Sequence, residues 1–299
     1  VTSDPTTTGQ VWYNESEGEL KTRNQFLGNA WSSGGNLNTG RTDLSGAGTQ
    51  TAGLGFGGPT GQTESYDGSS WTELNDMNTA RTQMGGCGTQ TAALGIAGKF
   101  PIVANVESWN GSSWTETTDV NTARRILRAA GTQTSALAFG GFIPPNSALT
   151  ESWNGSSWTE VNDLNTARYG LAGTGIATAA LAFGGTVSNT EAKTESWNGS
   201  NWTEVNDLNT ARSFLAGAGT QTAALAFGGV QVPPPGGALQ SATESWNGTN
   251  WTNENSLSTA RDQIGGTGTQ PAAIAFGGNP NNTATEEWNG DGIVTETIS

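Results

Sequence analysis

Short runs of apolar and small residues recur along this chain, and each is bounded by Gly, Thr, Gln or Asn. Residues 213–221 run into 223–229 through a Gly/Thr/Gln turn, which predicts two short strands. Residues 195–202 hold an Asn-Gly pair between two tryptophan-bearing arms, and Asn-Gly favours the positive φ angles of a tight hairpin turn. No segment shows a helical period with caps. The pattern therefore predicts an all-β chain made of short antiparallel hairpins.

An internal repeat organises these hairpins. A recurring arginine is followed by a glycine 17 residues later and preceded by a tryptophan ten residues earlier, and five of these tryptophans follow a glutamate by seven residues. Glu286 begins a last copy, with Ile293 in the tryptophan position. The arginines are Arg41, Arg81, Arg124, Arg168, Arg212 and Arg261, and the glutamates are Glu64, Glu107, Glu151, Glu195, Glu244 and Glu286. Four predicted strands repeated every 40 to 49 residues are the mark of propeller blades.

The repeated unit resembles the Kelch repeat. An arginine opens the inner strand, a Gly-Gly pair closes the second, and an acidic-aromatic step leads to a tryptophan. The aromatic step departs from the Kelch form, since it is usually Trp-Asn-Gly and is Tyr-Asp at Tyr66-Asp67 alone. The resemblance implies a six-bladed Kelch-like β-propeller with four antiparallel strands per blade. We expect residues 36–299 to supply all six blades.

Residues 1–35 are then surplus to the propeller and form a short N-terminal β element. They contain the stretches 9–14, 18–21 and 29–31, with the sequences GQVWYN, GELK and NAW. These stretches resemble a short strand-turn-strand element that recurs in bacteriophage tail-fibre and other virion proteins. Three arrangements are open: docking as a partial blade, pairing with a strand at 293–298, or attachment to a larger particle. The element is also a possible route to a homo-oligomer. The resemblance implies a virion location, with an extracellular or secreted protein as the alternative.

Composition excludes several classes of function. The chain has one cysteine and no histidine, so a disulfide framework is impossible and the commonest general base and metal ligand are missing. No apolar run approaches the roughly 20 residues of a membrane span. The net charge of −14 argues against a nucleic-acid partner. We therefore expect a protein that is not an enzyme, with no cofactor, no metal, and neither nucleic acid nor membrane among its partners.

The repeated arginines and glutamates occupy equivalent positions, so we interpret them as structural: a guanidinium ties loop carbonyls or a carboxylate at a blade junction. Function should lie where the units differ. The connection between the second and third strands varies in length and sequence, and the third unit alone carries extra arginines in its inner strand, which could hold an anionic sugar or a partner's carboxylate. The candidate binding residues are Arg125, Arg128, Tyr169, Phe214, Phe100, Phe142, Val230 and Val232.

These observations favour a phage tail-fibre or appendage protein whose propeller loops bind a host-surface glycan or protein. The alternative is a capsid or tail decoration or connector protein that makes purely structural contacts. In both cases the partners include other virion proteins.

Overall fold

A computed structural model describes residues 11–14, 19–26, 29–99, 101–232, 237–280, 283–290 and 292–297 of the chain. Six sheets of four antiparallel strands surround a central axis, which confirms the predicted all-β, six-bladed propeller. Successive strands of blades one to five run from the axis to the rim. The described residues include no helix that is long and apolar enough to cross a membrane.

The blades share one plan, in which the first strand lies at the axis and the fourth lies at the rim. Blade one has Ser45–Gly48, Gly53–Phe56, Thr63–Tyr66 and Trp71–Glu73; blade two has Gly85–Thr89, Ala92–Gly98, Val103–Trp109 and Trp114–Thr117. Blade three has Arg128–Thr132, Ser135–Phe139, Thr150–Trp153 and Trp158–Val161; blade four has Ala172–Ile176, Ala179–Phe183, Thr194–Trp197 and Trp202–Val205. Blade five has Ala216–Gly219, Ala224–Phe227, Thr243–Trp246 and Trp251–Glu254; blade six has Gly265–Gly268, Ala272–Phe276, Thr285–Asn289 and Ala30–Ser33.

The sixth blade corrects the expected boundary at residue 36. Its outermost strand is Ala30–Ser33, so this part of residues 1–35 belongs to the propeller instead of lying outside it. Trp31 stands ten residues before Arg41, as every outer tryptophan stands before its arginine. Its indole Nε1–H donates to Thr243 Oγ1 at 2.9 Å in blade five, a bond that an isoleucine at position 293 could not make.

The remaining described strands lie outside the six blades. Gly292–Thr297 pairs with Glu19–Phe26, which in turn pairs with Val11–Asn14, so the two chain ends pair with each other, one of the three arrangements expected. Ala30 pairs with Asn289, and the chain therefore enters and leaves blade six at the same end of the sheet. That end carries the turns between third and fourth strands. We call this side the turn face, and the opposite side, with the second-to-third connections, the loop face.

Neighbouring blades pack through a large residue on one second strand and a small residue on the next first strand. A Cβ added to Gly217 would lie 2.6 Å from Phe183 Cζ, and Gly46, Gly86, Gly173 and Gly266 face a phenylalanine in the same way. The joint between blades two and three is the exception, and its two changes compensate for each other in volume. Blade two has the smaller Ile96 in the phenylalanine position, and blade three has the larger Ala129 in the glycine position. Side-chain volume at each joint is therefore conserved within the repeat.

Tryptophans add a hydrogen bond to each joint. The outermost tryptophan donates its indole N–H to a threonine Oγ1 of the preceding blade, as Trp71 does to Thr285 at 2.9 Å across the joint that closes the ring. Trp158 is the exception and donates to Thr118 O, because blade two carries Val106 in place of the threonine. The closing joint is thus equivalent to the five joints between blades that are consecutive in the chain.

Within each blade, the repeated arginine forms a buried ion pair with the repeated glutamate. In blade six, Arg261 Nη2–H donates to Glu286 Oε1 at 2.8 Å, and Nη1–H donates to Gly277 O and Ala284 O, which flank the second-to-third connection. The other carboxylate oxygen accepts the backbone N–H of Ser258 at 2.7 Å. One guanidinium thus fixes the connection and the entry into the blade together.

The arginine backbone also joins blades. Each arginine carbonyl accepts the N–H of the repeated glycine of the preceding blade at 2.7–3.0 Å, including Gly278 N–H to Arg41 O across the closing joint. The glycines have positive φ angles of 92–120°, where a side chain would be strained. The 17-residue spacing from arginine to glycine therefore reflects both a turn and a blade-to-blade bond.

Glu151→Gln should cost about 3–5 kcal/mol of unfolding free energy, because it leaves the buried Arg124 charge without its counter-ion. The matched control is Glu160→Gln: Glu160 lies directly opposite Glu151 in the sheet register but is exposed, so its loss should stay within about 0.5 kcal/mol. Urea unfolding measures both. Equal losses would show that the ion pair does not hold the blade.

Gly217→Ala should cost about 1–3 kcal/mol, because the new methyl group overlaps the Phe183 ring. Combining it with Phe183→Ile recreates the isoleucine–alanine joint of blades two and three. The double variant should lose less stability than the sum of the single variants, with a coupling energy of about 0.5 kcal/mol or more. Strict additivity in thermal and urea unfolding would contradict the packing argument.

Candidate ligand site at the axial mouth

A closed ring of backbone hydrogen bonds surrounds the axis on the loop face. Its members lie two residues after each repeated arginine: Asp43, Gln83, Ile126, Gly170, Phe214 and Gln263. Each donates its N–H to the carbonyl of the ring member in the preceding blade, at 2.7–3.3 Å. All six have φ between 53° and 65°, the left-handed region. We call this set the backbone ring; it places six structurally equivalent residues around one opening, and five of them carry a side chain, since the sixth is Gly170.

An arc of side chains from five of the six blades follows this opening. Gln83 Nε2–H donates to Asp43 Oδ2 at 3.3 Å, and Gln83 Oε1 accepts from Arg125 Nη1–H at 2.9 Å. The Arg125 guanidinium lies over the Phe142 ring, 4.8 Å from its centroid. Phe142 meets Tyr169 edge to face at 5.3 Å, and Tyr169 meets Phe214 at 6.1 Å. The arc is made of Asp43, Gln83, Arg125, Phe142, Tyr169 and Phe214.

The loop face is higher on one side. The second-to-third connections of blades three, four and five are joined to one another, because Asn146 Nδ2–H donates to Val187 O at 2.8 Å and Thr190 Oγ1–H donates to Val232 O at 3.2 Å. In blade five the connection adds a two-stranded ribbon, Val230–Gln231 with Ala238–Leu239. Blades six, one and two have shorter connections. The aromatic part of the arc therefore stands beside a wall, and the polar part faces the open side.

Two carboxyl groups lie on the open side. Asp262 is buried, and Asn279 Nδ2–H donates to its Oδ1 at 3.3 Å. Burial raises the pKa of Asp262, and the neighbouring charge of Asp43 raises it further. Burial also raises the pKa of Asp43, opposed by the hydrogen bond from Gln83 and the positive charges of Arg128, Lys99 and Arg125. The mouth thus combines half-buried aromatic faces with carboxyl, amide and guanidinium groups.

The structure brings four of the eight candidate binding residues together: Arg125, Phe142, Tyr169 and Phe214. Arg128 lies in the axial channel beneath the ring, where it lines one small cavity with Phe214 and another with the inner strands. The Val230 side chain is buried and its backbone pairs with Ser213, so it supports the wall and offers no surface to a ligand. Val232 lies in the wall and is half-buried. Phe100 falls outside the described residues.

The polar part of the mouth was missed in the sequence. Asp43, Gln83, Asp262 and Gln263 occupy the two positions after a repeated arginine, where the units differ most. In the third, fourth and fifth units, aromatic or cationic residues at these two positions were recognised as candidate binding residues. The same comparison across all six units would have identified the carboxyl and amide groups.

Comparison of the chain with protein-family models gives no match, and comparison with curated proteins gives none. Within the described ranges, no three carboxyl or thiol groups are placed to hold a metal ion together. The Cys87 thiol is buried in the inner strand of blade two, and burial raises its pKa to about 12. The function of the mouth is therefore inferred from the arrangement of its residues.

Asp262→Asn should stabilise the protein at pH 7. Because the folded state raises the pKa of Asp262 above the ordinary value of 3.8, the folded protein binds the proton more tightly, and stability falls as the pH rises through that window. The variant does not titrate, so its advantage should shrink toward zero as the pH approaches 4. Urea unfolding from pH 4 to 7 measures the difference.

Asp67→Asn provides a control of opposite sign. Asp67 is exposed, and backbone N–H groups of Ser70 and Ser69 lower its pKa to about 2, so its charged form favours folding. The asparagine variant should be no more stable than the wild type at pH 7. A pH-independent gain for Asp262→Asn would contradict the assigned cause.

Proposed function

We propose that this protein is a non-enzymatic virion component, a tail-fibre or appendage protein of a bacteriophage, whose loop face binds a host-surface glycan. The observation that carries the proposal is the arc at the axial mouth, where residues distant in sequence form one surface of aromatic, amide, carboxyl and guanidinium groups. The Kelch-like repeat supports a binding scaffold. The resemblance of the N-terminal segment to phage strand-turn-strand elements supports the virion location.

The chemistry of the arc favours a sugar over other ligands. A sugar ring has an apolar C–H face and an edge of hydroxyl groups, and the arc offers an aromatic surface beside acceptors and donors. Phe142, Tyr169 and Phe214 are half-buried, so contacts between the rings restrain them while part of each side chain stays accessible. A few placed polar groups beside apolar side chains are typical of sites that fix the orientation of a small ligand.

The topology suits display of this face. Residues 30–33 and 285–289 connect the propeller to the rest of the chain from the turn face. A propeller held by those segments directs its loops away from the holder. Attachment below and recognition above then use different surfaces, which supports an appendage more than a plate packed on both sides.

The repeat supplies substitutions that the fold accepts. Tyr169→Thr introduces the residue that blades one and two have at the equivalent position, Thr42 and Thr82. Phe214→Gln introduces the residue that blades two and six have at the equivalent ring position, Gln83 and Gln263, with the same left-handed φ. On a glycan array and on host cells, each variant should weaken binding about tenfold or more, which corresponds to about 1.4 kcal/mol. Ile176→Thr is the control, because Ile176 is exposed on the turn face and five other units carry threonine there.

Three results would contradict the proposal. If the wild-type protein bound no glycan but bound a protein receptor, the ligand would be a protein instead of a glycan. Turnover of a labelled polysaccharide would make the mouth catalytic. Absence of the chain from purified phage particles, measured by mass spectrometry, would remove the virion assignment.

A further inference from the structure

The axial channel contains a charged side chain that the repeat does not require. Arg128 lies on the innermost strand of blade three, where the other five blades have Ser45, Gly85, Ala172, Ala216 and Gly265. It lines a cavity of about 50 Å³ on the axis, and among the described residues lining that cavity it alone is charged. Below it, the channel widens to about 210 Å³ between the six inner strands.

The Arg128 guanidinium has few protein partners. It carries five N–H donors, and its hydrogen bond within the described chain runs from Nη1 to the carbonyl of Leu127, at 3.2 Å. No carboxylate of the described residues lies within 4.0 Å of it, whereas each of the six repeated arginines has a buried glutamate. Asp43 acts on it only through its charge, from the mouth.

The channel walls offer further backbone donors, together with an equal number of backbone acceptors. Each innermost strand belongs to its own sheet and pairs within that sheet on one side only, so its other edge faces the axis. Antiparallel pairs alternate along the ladder, and Thr49 N–H bonds Ala52 O, so the backbone groups of Gly46 point away from blade one. Its equivalents Gly86, Ala129, Gly173, Gly217 and Gly266 follow the same register. These residues and Arg128 line the same cavity.

The Arg128 side chain is half-buried in the channel, and Asp43, whose charge acts on it, lies more than 4.0 Å away, so the guanidinium is partly dehydrated without a directly paired counter-ion. Water can satisfy its N–H groups but does not neutralise its charge. The cavity of about 50 Å³ has room for a few water-sized species at roughly 10–15 Å³ each. That space admits a monatomic anion.

We propose that the axial channel binds one small monovalent anion of halide size, held by the Arg128 guanidinium and by backbone N–H groups of the surrounding inner strands. This site lies on the channel side of the backbone ring, next to the mouth, because Arg128 also lines a small cavity with Asp43, Gln83 and Phe214 of the arc. The proposal does not depend on the proposed function. The anion supplies blade three with the counter-ion that the repeat supplies to the other arginines.

Bromide identifies the site directly. Crystals of the full chain grown in sodium bromide should show an anomalous difference peak on the axis beside Arg128, and crystals of Arg128→Ala should lack it. Alanine is the residue of blades four and five at this position, so the variant should fold. An empty axis in the wild type, or a peak that persists in Arg128→Ala, would overturn the proposal.

Thermal unfolding supplies a second measurement. At constant ionic strength, replacing sodium gluconate with sodium chloride or bromide should raise the melting temperature of the wild type. Above saturation, each tenfold increase in halide should add about 2 °C or more. Arg128→Ala should lose this response. Arg125→Thr, which removes the neighbouring arginine at the mouth, should keep it; the same halide response in all three proteins would reject a specific site.

Discussion

The buried arginine–glutamate pair is the interaction on which the architecture depends. One guanidinium fixes the connection between the second and third strands, neutralises a carboxylate that holds the entry into the blade, and lies on a residue whose carbonyl bonds the preceding blade. A small four-stranded sheet cannot bury both faces by itself, so each blade is stable only between two neighbours. The pair aligns each blade for that contact, and six repetitions close the ring.

This arrangement separates stability from recognition. The arginine, glycine, glutamate and tryptophan positions are the same in every blade, and all are buried except the half-buried Trp31. The position two residues after the arginine is held by backbone bonds of the ring. The position one residue after it pairs, in blades two to six, with the backbone of the second-to-third connection. The side chains at both positions are therefore free to differ. A residue such as Phe214 or Asp43 can therefore change without disturbing the scaffold. The mouth gathers six variable positions because the propeller brings equivalent positions to the same radius and height.

The sequence was sufficient for the fold because spacing reports geometry directly. The interval from arginine to glycine is set by a hairpin and a blade-to-blade bond, and neither tolerates an insertion. The closing strand was predicted wrongly, although Trp31 showed the repeat spacing. When units are counted forward from the first arginine, the outer strand of the last blade is expected near the end of the chain, at Ile293. Ring closure lets a strand from the start of the chain fill that place.

The candidate site was only partly accessible from sequence. Arg125, Phe142, Tyr169 and Phe214 could be selected as exceptions to the repeat, but their order around the mouth follows from packing of three neighbouring loops. Arg125 and Arg128 belong to one short segment, yet one lies at the mouth and the other in the channel. The segment passes from the ring into the inner strand between them, so proximity in sequence did not indicate a shared site.

The strand pair that closes blade six has a mechanical consequence. Both segments leave the disc at the same end, so a force applied between the loop face and the segments before residue 30 and after residue 289 would pull the two strands in parallel. Their hydrogen bonds to the rest of the molecule are then loaded in shear, all at once, instead of being peeled one by one. The resistance of the molecule to such a force therefore comes from the strand pairing that closes blade six.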